Sequence, residues 1–207
     1  MDTTLRERKK QRARLELARA ALALFREKGF EATTVEEIAA AAEYSPSTFF
    51  RYFGSKEDVV FFDVRQDLEV FRAALREQPA GVTLWEHVRE RISLTIQRFS
   101  EPGPEFESTS LAIWLTDPAL RAPFQLFCLD WEQVIAEAWA AHSGADADAD
   151  LEAQLVARSV VSACRAAFHV HVHSGGDVRD LLARAFDQLD AGGRGWALGR
   201  ARLRRIP

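Results

Sequence analysis

The chain has 207 residues, of which 47% are hydrophobic and 28% charged, a balance that excludes a wholly disordered protein. No apolar run approaches the roughly 20 residues that cross a bilayer, and the amino terminus lacks the apolar core of a signal peptide, so we expect a cytoplasmic protein without membrane contact. The net charge of −4 hides an asymmetry, because residues 1–56 hold eleven Lys and Arg against eight Asp and Glu, and the remainder sixteen against twenty-three.

The first predicted element is a helix that follows a basic amino-terminal arm. From Leu15 onward apolar residues recur at steps of three and four, and Gly29 suits a left-handed C-cap, so this helix should end near Lys28. The cations of the arm have DNA phosphates as their obvious counter-charge. The predicted phosphate-binding residues of the arm are Arg6, Arg8, Lys9, Lys10 and Arg12.

Two short helices joined by a tight turn follow. Thr33 and Thr34 offer N-caps for the first, and Ser45 caps the second, with Pro46 at its first helical position. Small hydroxyl side chains and a cation on the second helix suit a reading helix in the major groove, although the same spacing suits a purely structural three-helix unit. The candidate DNA contacts of this region are Thr33, Thr34, Ser45, Ser47, Thr48, Arg51, Tyr52 and Lys56.

The remaining pattern is helical throughout. A long fourth helix is predicted from a cap at Ser55 to Leu75, and five further apolar stripes lie between Trp85 and Leu189. No convincing strand pattern occurs. We therefore predict an all-α fold: an N-terminal three-helix helix-turn-helix head at residues 1–56, a larger C-terminal helical ligand-binding and dimerisation body at 57–190, and a flexible basic tail at 191–207.

The segment Thr34–Asp58 carries T-V-x-x-I-A-x-x-A and then S-x-x-T-F-F-R-Y-F-x-S-K-E-D. In this run the chain resembles the TetR-type transcriptional repressors. The resemblance implies a homodimer that binds double-stranded operator DNA. It also implies DNA contacts at Thr48, Phe50 and Tyr52, and a phosphate contact at Lys56.

Two departures from the family pattern bear on those contacts. Glu43 and Tyr44 stand in the turn where the family usually has glycine and a small aliphatic residue, and Phe50 replaces the common tyrosine. Phe50 has no hydroxyl to donate, and the carboxylate of Glu43 would repel a close phosphate. We therefore expect DNA affinity to depend more on the basic arm, Arg6 to Arg12.

The body resembles a subgroup that includes the mycofactocin-system regulators, which respond to fatty acyl-CoA. DPALRA near Asp117 and the later GGDVRDLLARAFDQL carry this likeness, which implies a small hydrophobic or acyl-CoA-like effector. Aromatic residues at helical spacing either fill a core or line a pocket for such a molecule. The predicted ligand-binding residues are Phe71, Ile96, Phe99, Trp114, Phe124, Phe127, Trp131, Arg165, Phe168 and His169.

Polar residues in the body leave several alternatives open. Arg165, on an apolar helix, must meet an acid, reach solvent or bind an anionic ligand. His169 and His173 are spaced to share a metal, but no third ligand is visible, which favours a solvated or interface pair. Asp146–Asp150 mimics the start of a calcium loop, which we reject because Leu151 stands where the loop glycine belongs.

The last two helices carry small and apolar residues that suit a four-helix dimer seam, or else packing within one chain. The residues of this pattern are Ser159, Ser162, Ala163, Ala166, Leu181, Ala185 and Leu189.

The leading hypothesis is a ligand-controlled repressor whose two reading helices engage a palindromic operator one DNA turn apart. One rival is a DNA-binding dimer without an effector, and another is a helical enzyme that uses His169 or Glu132. The sequence contains no glycine-rich phosphate loop, nucleophile elbow or metal triad, so we expect neither catalysis nor a cofactor. Cys128 and Cys164 are interpreted as buried thiols.

Overall fold

The computed structural model describes residues 5–97 and 113–191, except for the side chains of residues 63, 64, 66 and 97. Over these ranges the chain forms helices and turns, with no strand. Phe99 and the predicted basic tail, beyond residue 191, lie outside them. In the same ranges, no helix has both the length and the apolar content required to span a membrane.

Helix α1 spans Leu5–Lys28 and corrects the prediction of a separate arm. The cations at residues 6–12 occupy its first two turns, because charged side chains of good helical propensity extend the helix beyond its apolar stripe. Leu17, Ala21 and Phe25 form the buried side of that stripe. Gly29 ends the helix at φ 87°, and its N–H donates to the Phe25 carbonyl at 2.9 Å, as predicted.

The two short helices of the helix-turn-helix lie where they were predicted, whereas the prediction of one long fourth helix is wrong. Phe61 leaves helical geometry at φ −98° and ψ 9° and divides that segment in two. Its ring is buried and stacks on Trp114 at 5.3 Å and Phe127 at 5.5 Å, contacts that no helical periodicity encodes. The four helices are α2 Val35–Ala41, α3 Pro46–Tyr52, α4 Lys56–Val60 and α5 Phe62–Leu75.

Three of the later helical segments begin at carboxylate caps. Asp117 caps a 3-10 turn at Pro118–Leu120, and Asp150 and Asp177 each accept hydrogen bonds from backbone N–H groups at the start of the next helix. Residues 113–116 are also helical. The helices are α6 Leu84–Gln97, α7 Arg121–Ser143, α8 Leu151–Ser174 and α9 Val178–Asp190.

The described residues divide into two compact units. The first holds residues up to 77 and 113–131, and the second holds 78–97 and 132–191. The predicted head at 1–56 lies wholly within the first unit, so its boundary at residue 56 stays a prediction.

The second unit is organised by α8 and α9, which pack on each other, and by α6, which packs on α9. Arg89 of α6 pairs with Asp190, and with Asp187 at 2.6 Å, while the Trp85 indole N–H donates to Asp190 at 2.8 Å. Phe186 is fully buried against Trp85. The bonds that Arg89 and Trp85 make with Asp187 and Asp190 thus fix how α6 packs on α9, where Phe186 is buried against Trp85.

Candidate nucleic-acid interface

The start of α2 is held by a reciprocal capping box. The Thr34 hydroxyl accepts from the Glu37 N–H at 3.2 Å, and the Thr34 N–H donates to the Glu37 carboxylate at 2.8 Å. An ion pair with Lys28 and the Thr34 bond lower the pKa of Glu37 from 4.5 to about 2. The end of α1 is therefore tied to the beginning of α2.

Thr33 has a different role from the DNA contact predicted for it. Its side chain is buried, and its hydroxyl donates to the Gly29 carbonyl at 2.8 Å. That bond closes the connection between α1 and α2, so the hydroxyl is not presented to a DNA backbone. Thr34, the neighbouring candidate, is exposed.

The turn between α2 and α3 is a Schellman motif. The Tyr44 N–H donates to the Ala39 carbonyl at 2.8 Å, and the Glu43 N–H to the Ala40 carbonyl at 3.0 Å. This geometry puts Glu43 in the left-handed region, at φ 61°. The family's usual glycine adopts that conformation freely, whereas Glu43 adopts it with steric cost.

Tyr44, the other departure from the family pattern, fastens this turn to α1. Its hydroxyl donates to the Glu16 carboxylate at 2.6 Å, and the other oxygen of Glu16 accepts from Arg12 Nε at 2.8 Å. The Tyr44 bond lowers the pKa of Glu16, and Glu16 raises the pKa of Tyr44. The sequence carries no signal for this contact, because the two residues are 28 positions apart.

Helix α3 presents a polar exposed edge above a buried anchor. Ser45 caps the helix, and its hydroxyl lies 2.9 Å from that of Ser47 and 3.0 Å from that of Thr48. Phe49 points inward and is fully buried, with its ring 5.5 Å from that of Phe53. The hydroxyls are thus presented on a helix whose rotation is fixed by its aromatic core.

The remaining side chains of α3 add apolar surface and positive charge. Phe50 is 56% exposed, an unusual setting for a ring of this size in a single chain. Arg51 is exposed and lies over the Tyr52 ring at 4.9 Å, and Nη2 approaches the Tyr52 hydroxyl at 3.4 Å. Apolar, hydroxyl and cationic groups on one short helix match the chemistry of base edges and phosphates.

Lys56 faces the loop between α1 and α2. Its ammonium donates to the carbonyls of Phe30 at 2.7 Å, Thr33 at 3.1 Å and Glu31 at 3.3 Å, and lies 4.3 Å from the Phe30 ring centre. An ammonium has three hydrogens, so these bonds use its whole donor capacity. A phosphate contact at Lys56 stays a prediction, and it requires one of these bonds to break.

The cations predicted for the arm are all exposed on α1. Arg12 bonds Glu16, and Lys10 pairs with Glu7 at 3.6 Å. The others are Arg6, Arg8 and Lys9.

Five of the predicted ligand-binding residues lie together in the first unit, as one aromatic cluster that includes Phe61. Within it, Phe71 lies 4.9 Å from Trp131, and Trp114 lies 6.1 Å from Phe127. All are buried except Phe127, which is half-buried. The cluster members are Phe61, Phe71, Trp114, Phe124, Phe127 and Trp131.

Apart from Phe99, which lies outside the described residues, the other predicted ligand-binding residues lie in the second unit and do not share one environment. Ile96 and Phe168 are buried, whereas Arg165 and His169 are exposed on α8. The ring of His169 stacks on that of His173 at 4.1 Å. Among the described residues, no group of three or more His, Cys, Asp or Glu is placed to hold a metal ion.

The predicted dimer seam lies partly on α8 and partly on α9, where Leu181, Ala185 and Leu189 are half-buried. Ser162 and Ala166 are exposed, as are the larger Leu155 and Val170 on the same side. Ala163 is instead buried within the chain. Of the two cysteines, Cys128 is buried and Cys164 half-buried.

Two family models match the chain, one on each side of the break after α5. Residues 17–61 match the bacterial regulatory proteins of the tetR family, and residues 82–194 match the MftR C-terminal domain. The chain belongs to the TetR family. Regulators of this family bind DNA operators and act as dimers, and this chain is a DNA-binding transcriptional regulator rather than an enzyme.

Two relatives that align with most of the chain are also transcriptional regulators. The regulator is 35% identical over 159 residues to the HTH-type transcriptional regulator TcmR of Streptomyces glaucescens, covering 73% of this chain and 70% of TcmR. It is 27% identical to the mycofactocin biosynthesis transcriptional regulator MftR of Mycobacterium tuberculosis, covering 83% of this chain and 86% of MftR.

Solved structures share the fold at low sequence identity. The complex of SmeT with triclosan aligns with a TM-score of 0.65 at 21% identity, over 87% of this chain and 90% of SmeT. Thermus thermophilus FadR, a transcriptional repressor solved with lauroyl-CoA, aligns with a TM-score of 0.55 at 23% identity, over 94% of this chain and 98% of FadR.

Proposed function

We propose that this TetR-family regulator is a repressor that leaves a palindromic operator when a small hydrophobic or acyl-CoA-like effector binds its body. The observation that carries the proposal is α3, which exposes Ser45, Ser47, Phe50 and Arg51 while Phe49 anchors it. A dimer would present two such helices to successive turns of the major groove.

The proposed DNA-contacting groups fall into two sets. Hydroxyls and Phe50 on α3 face base edges, where Phe50 contacts a thymine methyl or sugar. Cations at the start of α1 and Arg51 contact phosphates, which fix position without reading sequence. The proposed set is Arg6, Arg8, Lys9, Lys10, Arg12, Thr34, Ser45, Ser47, Thr48, Phe50, Arg51 and Tyr52.

The proposed dimer forms through α8 and α9. Ser162 and Ala166 are small enough for close approach of two helices, and Leu155 and Val170 are 57% and 40% exposed in the single chain. Their burial against a second copy would remove apolar surface from water, which is the main source of affinity in obligate dimers.

The proposed effector binds the body, and two fold neighbours solved with molecules that carry an apolar part support it. SmeT was solved with triclosan and FadR with lauroyl-CoA. In this regulator the aromatic cluster around Phe127 offers the apolar, polarisable surface that such a molecule needs. A separate proposal, for the second unit alone, is that Arg165 and His169, both exposed on α8, bind an anionic group.

DNA binding is tested with duplex DNA from beside the regulator's own gene, titrated at several salt concentrations. Arg51→Ala should weaken binding and lower the salt slope by about 0.9, the contribution of one phosphate contact. The matched control is Arg121→Ala, which removes an exposed arginine of α7. Salt-insensitive binding that is equal in wild type and Arg51→Ala would refute the proposal.

The effector is tested by thermal shift with lauroyl-CoA, with unacylated CoA as the control. A ligand specific for the folded state raises the melting temperature by mass action, and here it should also release the DNA fragment. A shift with lauroyl-CoA alone supports an acyl effector. If neither lauroyl-CoA nor a panel of hydrophobic metabolites shifts the melting temperature, the dimer without an effector is favoured.

A further inference from the structure

The strongest unexplained feature of the head is the chain of bonds from Tyr44 through Glu16 to Arg12. Tyr44 stands where the family usually has a small aliphatic residue, which has no hydroxyl to donate, and here the Tyr44 hydroxyl donates to Glu16. Glu16 uses its two oxygens for two different donors, one in the turn before α3 and one on α1. The Glu16 carboxylate therefore links Tyr44, in the turn before α3, to the guanidinium of Arg12.

The two Nη groups of Arg12 face solvent. Only Nε donates to Glu16, and the side chain is 80% exposed. The two Nη groups are the pair that a guanidinium uses to bind a phosphate with parallel hydrogen bonds. Because Glu16 fixes Nε, the orientation of this pair is fixed as well.

Position and charge both indicate a phosphate as the partner. Tyr44 immediately precedes Ser45, the cap of α3, so the contact through Glu16 holds Arg12 beside the start of the reading helix. Arg8 and Arg19, with Arg12 and Glu16, line one shallow groove on the same side of α1, where cations outnumber acids three to one. A DNA backbone that flanks the bases contacted by α3 would meet the positive charge of this groove on α1.

We propose that Tyr44 and Glu16 are positioning residues that hold the Arg12 guanidinium as a clamp for a DNA phosphate flanking the bases read by α3. The inference rests on the proposed DNA-binding function. Glu16 is ionised and Tyr44 protonated at neutral pH, and their bond strengthens both preferences, because it lowers the pKa of the carboxyl and raises that of the phenol. The clamp is therefore formed before DNA arrives, and less side-chain entropy is lost on binding.

The decisive variant is Glu16→Gln, because two explanations predict opposite signs. If Glu16 only repels the phosphates, its neutralisation strengthens DNA binding. If Glu16 positions Arg12, its neutralisation loosens the guanidinium and weakens binding by about three- to tenfold, the net value of one ordinary hydrogen bond. The matched control is Glu43→Gln, which removes the same charge from the adjacent turn and should strengthen binding.

A double-mutant cycle tests the link from Tyr44 to Arg12. Using the duplex from beside the regulator's gene, Arg12→Ala should lower the salt slope by about 0.9. Tyr44→Phe keeps the ring and should weaken binding severalfold in wild type, but have no effect when Arg12 is already alanine. Far-UV circular dichroism and thermal unfolding check that each variant is folded.

The outcomes distinguish failure of DNA binding from failure of the clamp alone. If wild type fails to bind with a steep salt dependence, the proposed function fails, and the clamp fails with it. If wild type binds as expected but Glu16→Gln strengthens binding like Glu43→Gln, only the clamp is refuted. The same holds if Tyr44→Phe weakens binding equally with and without Arg12, because Tyr44 then acts only on the stability of the turn.

Discussion

Replacement of Glu43 by glycine should stabilise the regulator. Glu43 occupies the left-handed position of the Schellman turn at φ 61°, where a β-carbon meets the following carbonyl. Relief of that clash contributes about 1 to 2 kcal/mol, and the greater freedom of glycine in the unfolded chain offsets about 0.5 to 1 kcal/mol of it. At the midpoints of these two ranges the net gain is about 0.75 kcal/mol.

The assay is thermal unfolding at one fixed protein concentration, since the melting temperature of a dimer depends on concentration. A chain of this length should melt about 1 to 4 °C higher after the substitution. Glu43→Ala is the control, because it removes the same carboxylate from the end of α2 but retains the β-carbon. If Glu43→Ala stabilises as much as Glu43→Gly, the effect comes from charge near the helix terminus, and the backbone argument is refuted.

Three further predictions concern acid stability, Lys56 and the seam. Glu37 has a pKa of about 2 against an ordinary 4.5, so its pairing stabilises the fold above pH 4.5 and is lost as pH falls toward 2. Glu37→Gln should thus flatten the fall in the urea midpoint between pH 5 and 2, and an unchanged pH profile would contradict this. Lys56→Met should cost about 2 kcal/mol in urea unfolding, because three carbonyls lose their donor. A salt slope of DNA binding lowered by about 0.9 would also identify the predicted phosphate contact at Lys56, and an unchanged slope would contradict it. Ala166→Glu should yield monomers in sedimentation by placing two carboxylates at the seam, whereas Ala141→Glu, an exposed position on α7, should not; a dimeric Ala166→Glu would argue for another interface.

The sequence by itself determined the helices of the head and their family. A cap, a capping box or a C-terminal glycine acts within four or five residues, so Thr34, Ser45 and Gly29 could be assigned from their immediate neighbours. The run from Thr34 to Asp58 fixed the helix-turn-helix for the same reason. The departures from the family pattern could also be identified from the sequence, but their structural consequences could not be predicted from it.

Only the tertiary structure decided what those departures do. Tyr44 reaches Glu16 across 28 residues, and Lys56 reaches the Phe30 carbonyl across 26, so neither partner is visible in local spacing. Phe61 breaks a helix that its periodicity would continue, and its ring stacks with Trp114 and Phe127. Contacts between residues that are distant in the sequence depend on how the helices pack. Several side chains could serve as the partner of each of these residues, and the packing decides which one does.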